Sequence, residues 1–222
     1  MISEELVDRG VSSKKIRIIP NGINDTFKDG LETKNICSGN SFDPSLLYVG
    51  RLIEEKNIHL IIEMVEKLKN EFPNIGLVVV GDGVYKKELV ELAKTMKITD
   101  HVMFKGFMKA IDDIISDCSI FILPSRTEGM PISILEAMSH ARPIVASKVG
   151  SIPSMARDGL EAILVTPGDR DQLYHSIYML LKDDALRNEL GRNARDRFLD
   201  MYTSEIMANN YIKFYESVVG KI

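Results

Sequence analysis

The chain has 222 residues, 45% of them hydrophobic and 27% charged, which excludes a disordered or fibrous protein. That length accommodates one large α/β domain or two small ones and buries most of its apolar surface without a disulfide or metal staple. A formal net charge of −4 leaves no electrostatic footprint for nucleic acid.

The first forty-odd residues are irregular in pattern. Residues 15–19 could form one extra strand, Pro20-Asn21-Gly22 reads as a turn, and residues 26–43 are polar and loop-like. The N-terminus lacks the basic start and apolar stretch of a secretory signal. Cys37 and Cys118 lie far apart with no CxxC spacing, so they read as reduced thiols of a cytoplasmic protein rather than a zinc site.

Six short apolar runs follow, at residues 46–49, 77–80, 102–104, 120–123, 144–146 and 163–165. None is long enough to span a bilayer. Each is continuously apolar rather than alternating, as in strands buried on both faces. The spacing between their starts leaves room for a crossover helix each time. Between the first two, Ile58, Ile61, Ile62, Val65 and Leu68 form one apolar stripe opposite Glu63, Glu66, Lys67 and Lys69, with Asn57 placed to cap the helix. Leu89, Leu92, Ala93 and Met96 repeat the pattern in the next interval. Regular strand–helix alternation predicts a Rossmann-like, doubly wound parallel sheet of six strands. From Asp169 onward the pattern is all-helical, over residues 173–181, 185–198 and 204–219, with Gly191 marking a break or bend in the middle helix.

In such a sheet, ligands bind beyond the carboxyl ends of the strands. After the first run come Gly50-Arg51-Leu52-Ile53-Glu54-Glu55-Lys56-Asn57. A glycine that lets a ligand approach the backbone, two cations and a helix N-terminus suit a diphosphate. The bland alternative is that Arg51 and Lys56 only balance Glu54 and Glu55. After the second run, Gly81-Asp82-Gly83 begins a GxGxxG pattern but Lys86 occupies the third glycine position, so a tight strand-to-helix turn is expected rather than a dinucleotide loop. No Walker loop and no GxSxG elbow occur.

The fourth run is followed by Pro124-Ser125-Arg126-Thr127-Glu128-Gly129-Met130-Pro131. Pro131 suits the first position of a helix. Glu128 then lies in the loop facing the cleft and Glu136 about two turns into the helix. Two carboxylates flanking a helix start could hold sugar and ribose hydroxyls; equally, Glu136 could be a solvated helix residue and Glu128 a favourable charge at the helix dipole. His59, His101, His140 and His175 are scattered, without metal-ligand spacing, and read as surface or capping residues.

In order along the chain, Ile19-Pro20-Asn21-Gly22, Val49-Gly50-Arg51-Leu52 with Glu55-Lys56-Asn57, Val80-Gly81-Asp82-Gly83, Phe104-Lys105-Gly106, Pro124-Ser125-Arg126-Thr127-Glu128-Gly129, Leu135-Glu136-Ala137-Met138, Pro143-Ile144-Val145-Ala146-Ser147 and Pro167-Gly168-Asp169 form a highly specific set. The sequence resembles the C-terminal, donor-binding half of the group 1, or family 4, retaining glycosyltransferases, which have the two-lobed GT-B fold. The resemblance implies that Gly50, Arg51 and Lys56 hold the diphosphate of a nucleotide-sugar, most simply a UDP-sugar. By the same resemblance Glu128 is the catalytic-centre carboxylate on the donor sugar, and Glu136 binds the ribose. Gly129 and the amides around Met130, Ile132 and Ser133 approach phosphate and sugar, and the backbone of Phe107 and Met108 approaches the base. It also implies a metal-independent reaction, no cofactor beyond the nucleotide-sugar substrate, and a saccharide or lipid-linked acceptor. Departures from the family pattern are Ala141, Ser151, Ser154, Ala162 and Pro131, several of them at common glycine positions.

Within that frame residues 1–15 look like the crossover leaving an N-terminal acceptor lobe, 16–202 the donor-binding domain, and 203–222 a helix that packs on the other lobe. The expected partners are the nucleotide-sugar and that missing lobe, with no nucleic acid, and membrane association only through the lobe. The sequence then corresponds to a donor-binding domain cut at the hinge or to a shortened protein. A non-catalytic nucleotide-sugar-binding or assembly module, or a related GT-B epimerase, are the alternatives.

Overall fold

All six apolar runs form strands, and every strand pairing is parallel. A computed structural model describes residues 6–27 and 42–219. Its sheet has the order β3-β2-β1-β4-β5-β6, with β1 Ser45–Val49, β2 Gly76–Val80, β3 Val102–Gly106, β4 Ile120–Leu123, β5 Ile144–Ser147 and β6 Ile163–Val165. Leu46 pairs with Leu77 on one side and Ile120 on the other, so β1 is central. β1, β2, β4 and β5 are buried along almost their whole length, which is why their sequences do not alternate.

The crossover helices are α1 Ile58–Leu68, α2 Lys86–Thr95, α3 Asp112–Asp117, α4 Ile132–Ser139 and the short α5 Ile152–Met155. α6 Arg170–Lys182, α7 Asp184–Met201 and α8 Ser204–Val219 complete the chain. α1 buries Leu60 and Met64 in addition to the expected stripe, because helix and sheet meet over a broad face. Each such side chain removed from water contributes about 1.5–3 kcal/mol. α6 and α7 are capped by Asp169 and Asp183, which accept from the amides of Gln172 and Leu186, both at 2.9 Å.

Three local expectations are corrected and the alternatives for one histidine are resolved. Residues 15–19 form no strand: Ser13–Lys15 is a 3₁₀ turn, and the segment after it runs beside α8 at Asn210, Lys213 and Phe214, where no strand edge offers backbone partners. Pro20-Asn21-Gly22 forms no turn either; Gly22 presses on the Thr203 carbonyl at the start of α8, too closely for any Cβ. Gly191 does not break α7, which is continuous; a Cβ there would overlap the Ala141 carbonyl oxygen, so the glycine serves the close passage of α7 over the end of α4. His140 takes the capping role rather than a surface one: it is the buried C-cap residue of α4, with Nδ1 2.9 Å from the Glu136 carbonyl and Nε2 3.3 Å from Asp112 Oδ1. Cys37 and most of the polar stretch 26–43 lie outside the described residues.

Tyr211, Phe214, Tyr215 and Val218 of α8 are all exposed. Among the described residues no helix is long and apolar enough to cross a membrane.

Candidate functional site

The strand order reverses between β1 and β4, so the loops leaving their carboxyl ends diverge and open a crevice. One wall is the loop 50–57. Three neighbours hold it: the Leu52 amide donates to the Asp82 carbonyl at 2.9 Å, the Tyr85 amide to Leu52 at 2.9 Å, and the buried Tyr48 hydroxyl to the Arg51 carbonyl at 2.9 Å. Gly81, at φ +134°, lies so close to the Gly50 carbonyl that any Cβ would overlap it, and Gly83 is equally tight on Leu52. The Gly-Asp-Gly stretch is therefore a backing plate for the arginine loop, which is more than the tight turn its sequence suggests.

The other wall is the loop 124–131. Asn57 joins the two walls: it sits at φ +52° before α1 and donates its side-chain amide to the Pro124 carbonyl at 3.0 Å. Asn57 is the N-cap residue of α1, as expected, but through its backbone: its carbonyl accepts from the Leu60 amide at 2.9 Å while its side-chain amide is spent across the crevice. The Arg126 amide donates to the Glu55 carbonyl at 2.8 Å, a second tie between the walls.

Between the walls lies a cavity of about 340 Å³ lined by Arg51, Ile53, Glu55, Lys56, Thr127, Glu128 and Gly129. Lys56 Nζ lies 2.6 Å from Glu128 Oε1, and the same oxygen accepts from the buried Ser125 hydroxyl at 2.7 Å. The Glu128 side chain is 7% exposed and Lys56 15%, so this is a largely desolvated pair. Arg51 differs: it lines the cavity, and its guanidinium makes no ion pair or hydrogen bond among the described residues. The Glu128 loop is fixed by the segment after β5, where Gly150 passes the Glu128 carbonyl with no room for a Cβ, and both the amide (3.1 Å) and the hydroxyl of Ser151 donate to the Gly129 carbonyl.

Thus Arg51, Lys56, Glu128 and Gly129 come together, while none of the other expected residues lines the cavity. Gly50 supports the arginine loop from the β1 end. Pro131 is the residue before α4 rather than its first helical residue, and it carries no capping side chain. The first-turn residues Ile132 and Ser133, with Met130 before them, present that uncapped helix start at the same carboxyl edge. Phe107 and Met108 follow β3 at this edge, Phe107 with its ring exposed. Glu136 comes a little over one turn into α4 and is half-buried, not solvated. Burial, and then the nearby Asp112 carboxylate, push its pKa up. Asp112 in turn accepts from Thr26 and stands against His140.

Ile53, Glu55 and Thr127 join the lining, and Tyr48, Ser125 and Ser151 the supports, in addition to the expected residues. Ser125 and Thr127 lie within the stretch flagged for Glu128; nothing local to Tyr48 or Ser151 signals their roles, which depend on pairing across the sheet. Among the described residues no group of three or more His, Cys, Asp or Glu side chains could hold a metal ion.

The crevice lies at the switch point of an open parallel sheet, where α/β domains of this architecture bind their ligands. The family model for glycosyl transferases group 1 matches residues 36–197, and the chain belongs to that family. It is 34% identical over 153 residues to the alpha-D-kanosaminyltransferase of Streptomyces kanamyceticus, covering 68% of this chain and 40% of that one. It is 27% identical over 206 residues to the sulfoquinovosyl transferase SQD2 of Arabidopsis thaliana, covering 88% of this chain and 39% of the relative. The chain thus spans about two-fifths of the length of these relatives. Among solved structures, Anabaena HepE in complex with UDP superposes with a TM-score of 0.88 at 21% identity, over 97% of this chain and 61% of HepE. The sucrose-phosphate synthase of Thermosynechococcus elongatus does so at 0.86 and 25%, over 100% and 57%. The fold is that of GT-B glycosyltransferases.

Proposed function

We propose that this chain is the donor-binding half of a retaining glycosyltransferase that takes a nucleoside diphosphate sugar, with UDP as the nucleotide. The observation that carries the reading is the meeting of Arg51, Lys56 and Glu128 in one crevice at the β1/β4 switch point. Cleaving the anomeric C–O bond places negative charge on the departing diphosphate, and cations fixed beside it stabilise that charge as it develops. Arg51 and Lys56 take that role, assisted by the uncapped start of α4. Glu128 receives the sugar hydroxyls near the anomeric carbon, and Glu136, half-buried in α4, receives the ribose hydroxyls. The amides at Gly129, Met130, Ile132 and Ser133 and the backbone at Phe107 and Met108 complete the phosphate, sugar and base contacts. The chemistry in this reading is metal-independent, because the protein's own cations neutralise the leaving group.

UDP supports the choice of nucleotide because Anabaena HepE has been solved with UDP and with UDP-glucose. The acceptor, a saccharide or a lipid-linked saccharide, is held by a second lobe, since each relative is more than twice as long as the matched region. Juxtaposing two substrates supplies much of the rate in such a transfer, so half a cleft binds nucleotide and turns over little.

Calorimetric titration of the chain with UDP, GDP and ADP tests the reading. Charge-assisted contacts of about 1.5–3 kcal/mol each imply that Arg51→Ala weakens the bound nucleotide by about ten- to a hundredfold. Equal affinity in wild type and Arg51→Ala would contradict the assignment, and robust sugar transfer by the 222-residue chain alone would overturn the half-enzyme reading.

A further inference from the structure

The ionisable lining of the cavity consists of two cations, Arg51 and Lys56, and two anions, Glu55 and Glu128. Lys56 is already engaged, at 2.6 Å from Glu128 Oε1. Ser125 donates to that same oxygen, and Oε2 has no hydrogen-bond partner among the described residues. A diphosphate entering the crevice meets Arg51 unpaired, but gains Lys56 only in competition with the Glu128 carboxylate. This arrangement is a poor one for binding the bare anion as tightly as possible. An optimised anion site would place no carboxylate on its lysine.

The geometry points to Glu128 as the group that makes this crevice prefer a nucleotide-sugar over the bare nucleoside diphosphate. The inference rests on the donor-binding reading above and adds to it a basis for discrimination. A nucleoside diphosphate ends in a phosphate with a second ionisation near neutral pH, so it carries close to one more negative charge than its sugar ester. Beside a fixed carboxylate that extra charge is repelled. The sugar ester instead caps the terminal phosphate and brings hydroxyl donors, which suit Oε2 of an ionised, acceptor-only carboxylate. Lys56 drawn toward the phosphate leaves Glu128 uncompensated when only the bare diphosphate is present, and compensated when sugar hydroxyls arrive with it. Discrimination of this kind uses a repulsive element against the wrong ligand as well as an attractive one for the right ligand. It also favours departure of the diphosphate once the sugar has gone.

Two substitutions move the preference in opposite directions. Glu128→Gln removes the repelling charge and frees Lys56, so UDP tightens by about five- to tenfold while UDP-sugars gain nothing or weaken. Lys56→Met leaves Glu128 unneutralised, so both ligands weaken but UDP weakens about fivefold more than the sugar ester. The experiment is competition calorimetry of the wild-type chain and both variants with UDP, UDP-glucose, UDP-galactose and UDP-N-acetylglucosamine, each variant first checked for a cooperative thermal melt. The expected result is a ratio of UDP to UDP-sugar affinity that rises in Glu128→Gln and falls in Lys56→Met. A ratio unchanged in both variants, with UDP still bound, overturns the inference and leaves the donor-binding reading standing. Wild type that binds UDP but none of the three sugar esters does the same. Wild type that binds no UDP removes the donor-binding reading and this inference together. Should Glu128→Gln fail to fold, the direction of the ratio in Lys56→Met decides alone.

Discussion

Replacing Lys56 by methionine removes the ammonium from a pair that is almost out of water and leaves the Glu128 carboxylate behind. Glu128 keeps only the Ser125 hydroxyl at 2.7 Å. Removing one partner of a fully buried ion pair costs about 3–5 kcal/mol, because the surviving charge stays desolvated. Here the pair faces a water-accessible cavity and one donor survives, so a cost of about 2–3 kcal/mol is expected. For a chain of this size, 1 kcal/mol moves the melting temperature by about 2–4 °C, which places the Lys56→Met melt about 5–10 °C below wild type. Glu128→Gln is milder, since the amide oxygen can still accept from the surviving Lys56 ammonium, the more exposed of the two, and Lys56→Met/Glu128→Gln should recover more than half of the loss. The assay is a double-mutant cycle by differential scanning calorimetry at neutral pH and low salt, with a coupling energy of about 1.5–2 kcal/mol expected. Melts of Lys56→Met within a degree of wild type, or a coupling near zero, would show that the pair is loosely solvated and would refute the reasoning.

Ala141 stands at φ +53°, a conformation glycine adopts freely, so Ala141→Gly should raise stability by about 0.5–1 kcal/mol in urea unfolding. Cys118 is buried and its thiol is pushed up to about 12, so iodoacetamide at pH 8 should leave it unmodified in the folded chain and react after urea denaturation, as read by mass spectrometry. Glu136 and Glu161 should titrate stability in opposite directions. Burial and Asp112 raise Glu136, so its favourable contribution is complete below the ordinary glutamate pKa and is lost as pH rises through the folded value; Glu136→Gln should melt higher than wild type at pH 7 and lose that gain toward pH 4. Glu161 is also buried, but bonds from the Arg157 guanidinium and amide outweigh burial and lower its pKa, so its contribution is present above the ordinary value and is lost as pH falls through the folded one. Glu161→Gln should therefore melt lower than wild type at pH 7 and converge with it in acid.

The sheet was legible because burial on both faces writes itself into composition. A strand such as β2, buried at all five residues, has no solvent side on which to alternate, so Leu77-Val78-Val79-Val80 reads as a block bounded by glycines. The segment at 15–19 shows where that reasoning fails. Its alternating isoleucines suit a pleated strand, but a strand exists only where another strand offers its edge, and this segment runs along a helix instead. Gly191 fails for a related reason. Helix propensity assigns it a local cost, whereas its use is non-local: α7 crosses the Ala141 backbone at a distance only glycine permits.

The site divides along the same line. Arg51, Lys56 and Glu128 could be named because each sits in a loop directly after a buried run, and topology brings the ends of β1 and β4 side by side. What sequence spacing does not carry is how their charges are shared. Counting residues gives Lys56 two equally good partners in Glu54 and Glu55, its near neighbours in the chain. The fold joins it to Glu128, 72 residues away, because Asn57 turns back to Pro124 and Arg126 turns back to Glu55. Glu54 goes instead to Arg126 at 3.5 Å on the exposed rim. A surface pair of that kind contributes about 0–1 kcal/mol. The desolvated pair beside it sets both the stability of the crevice and the charge a ligand meets there, so the two walls and the chemistry between them are held by the same few bonds.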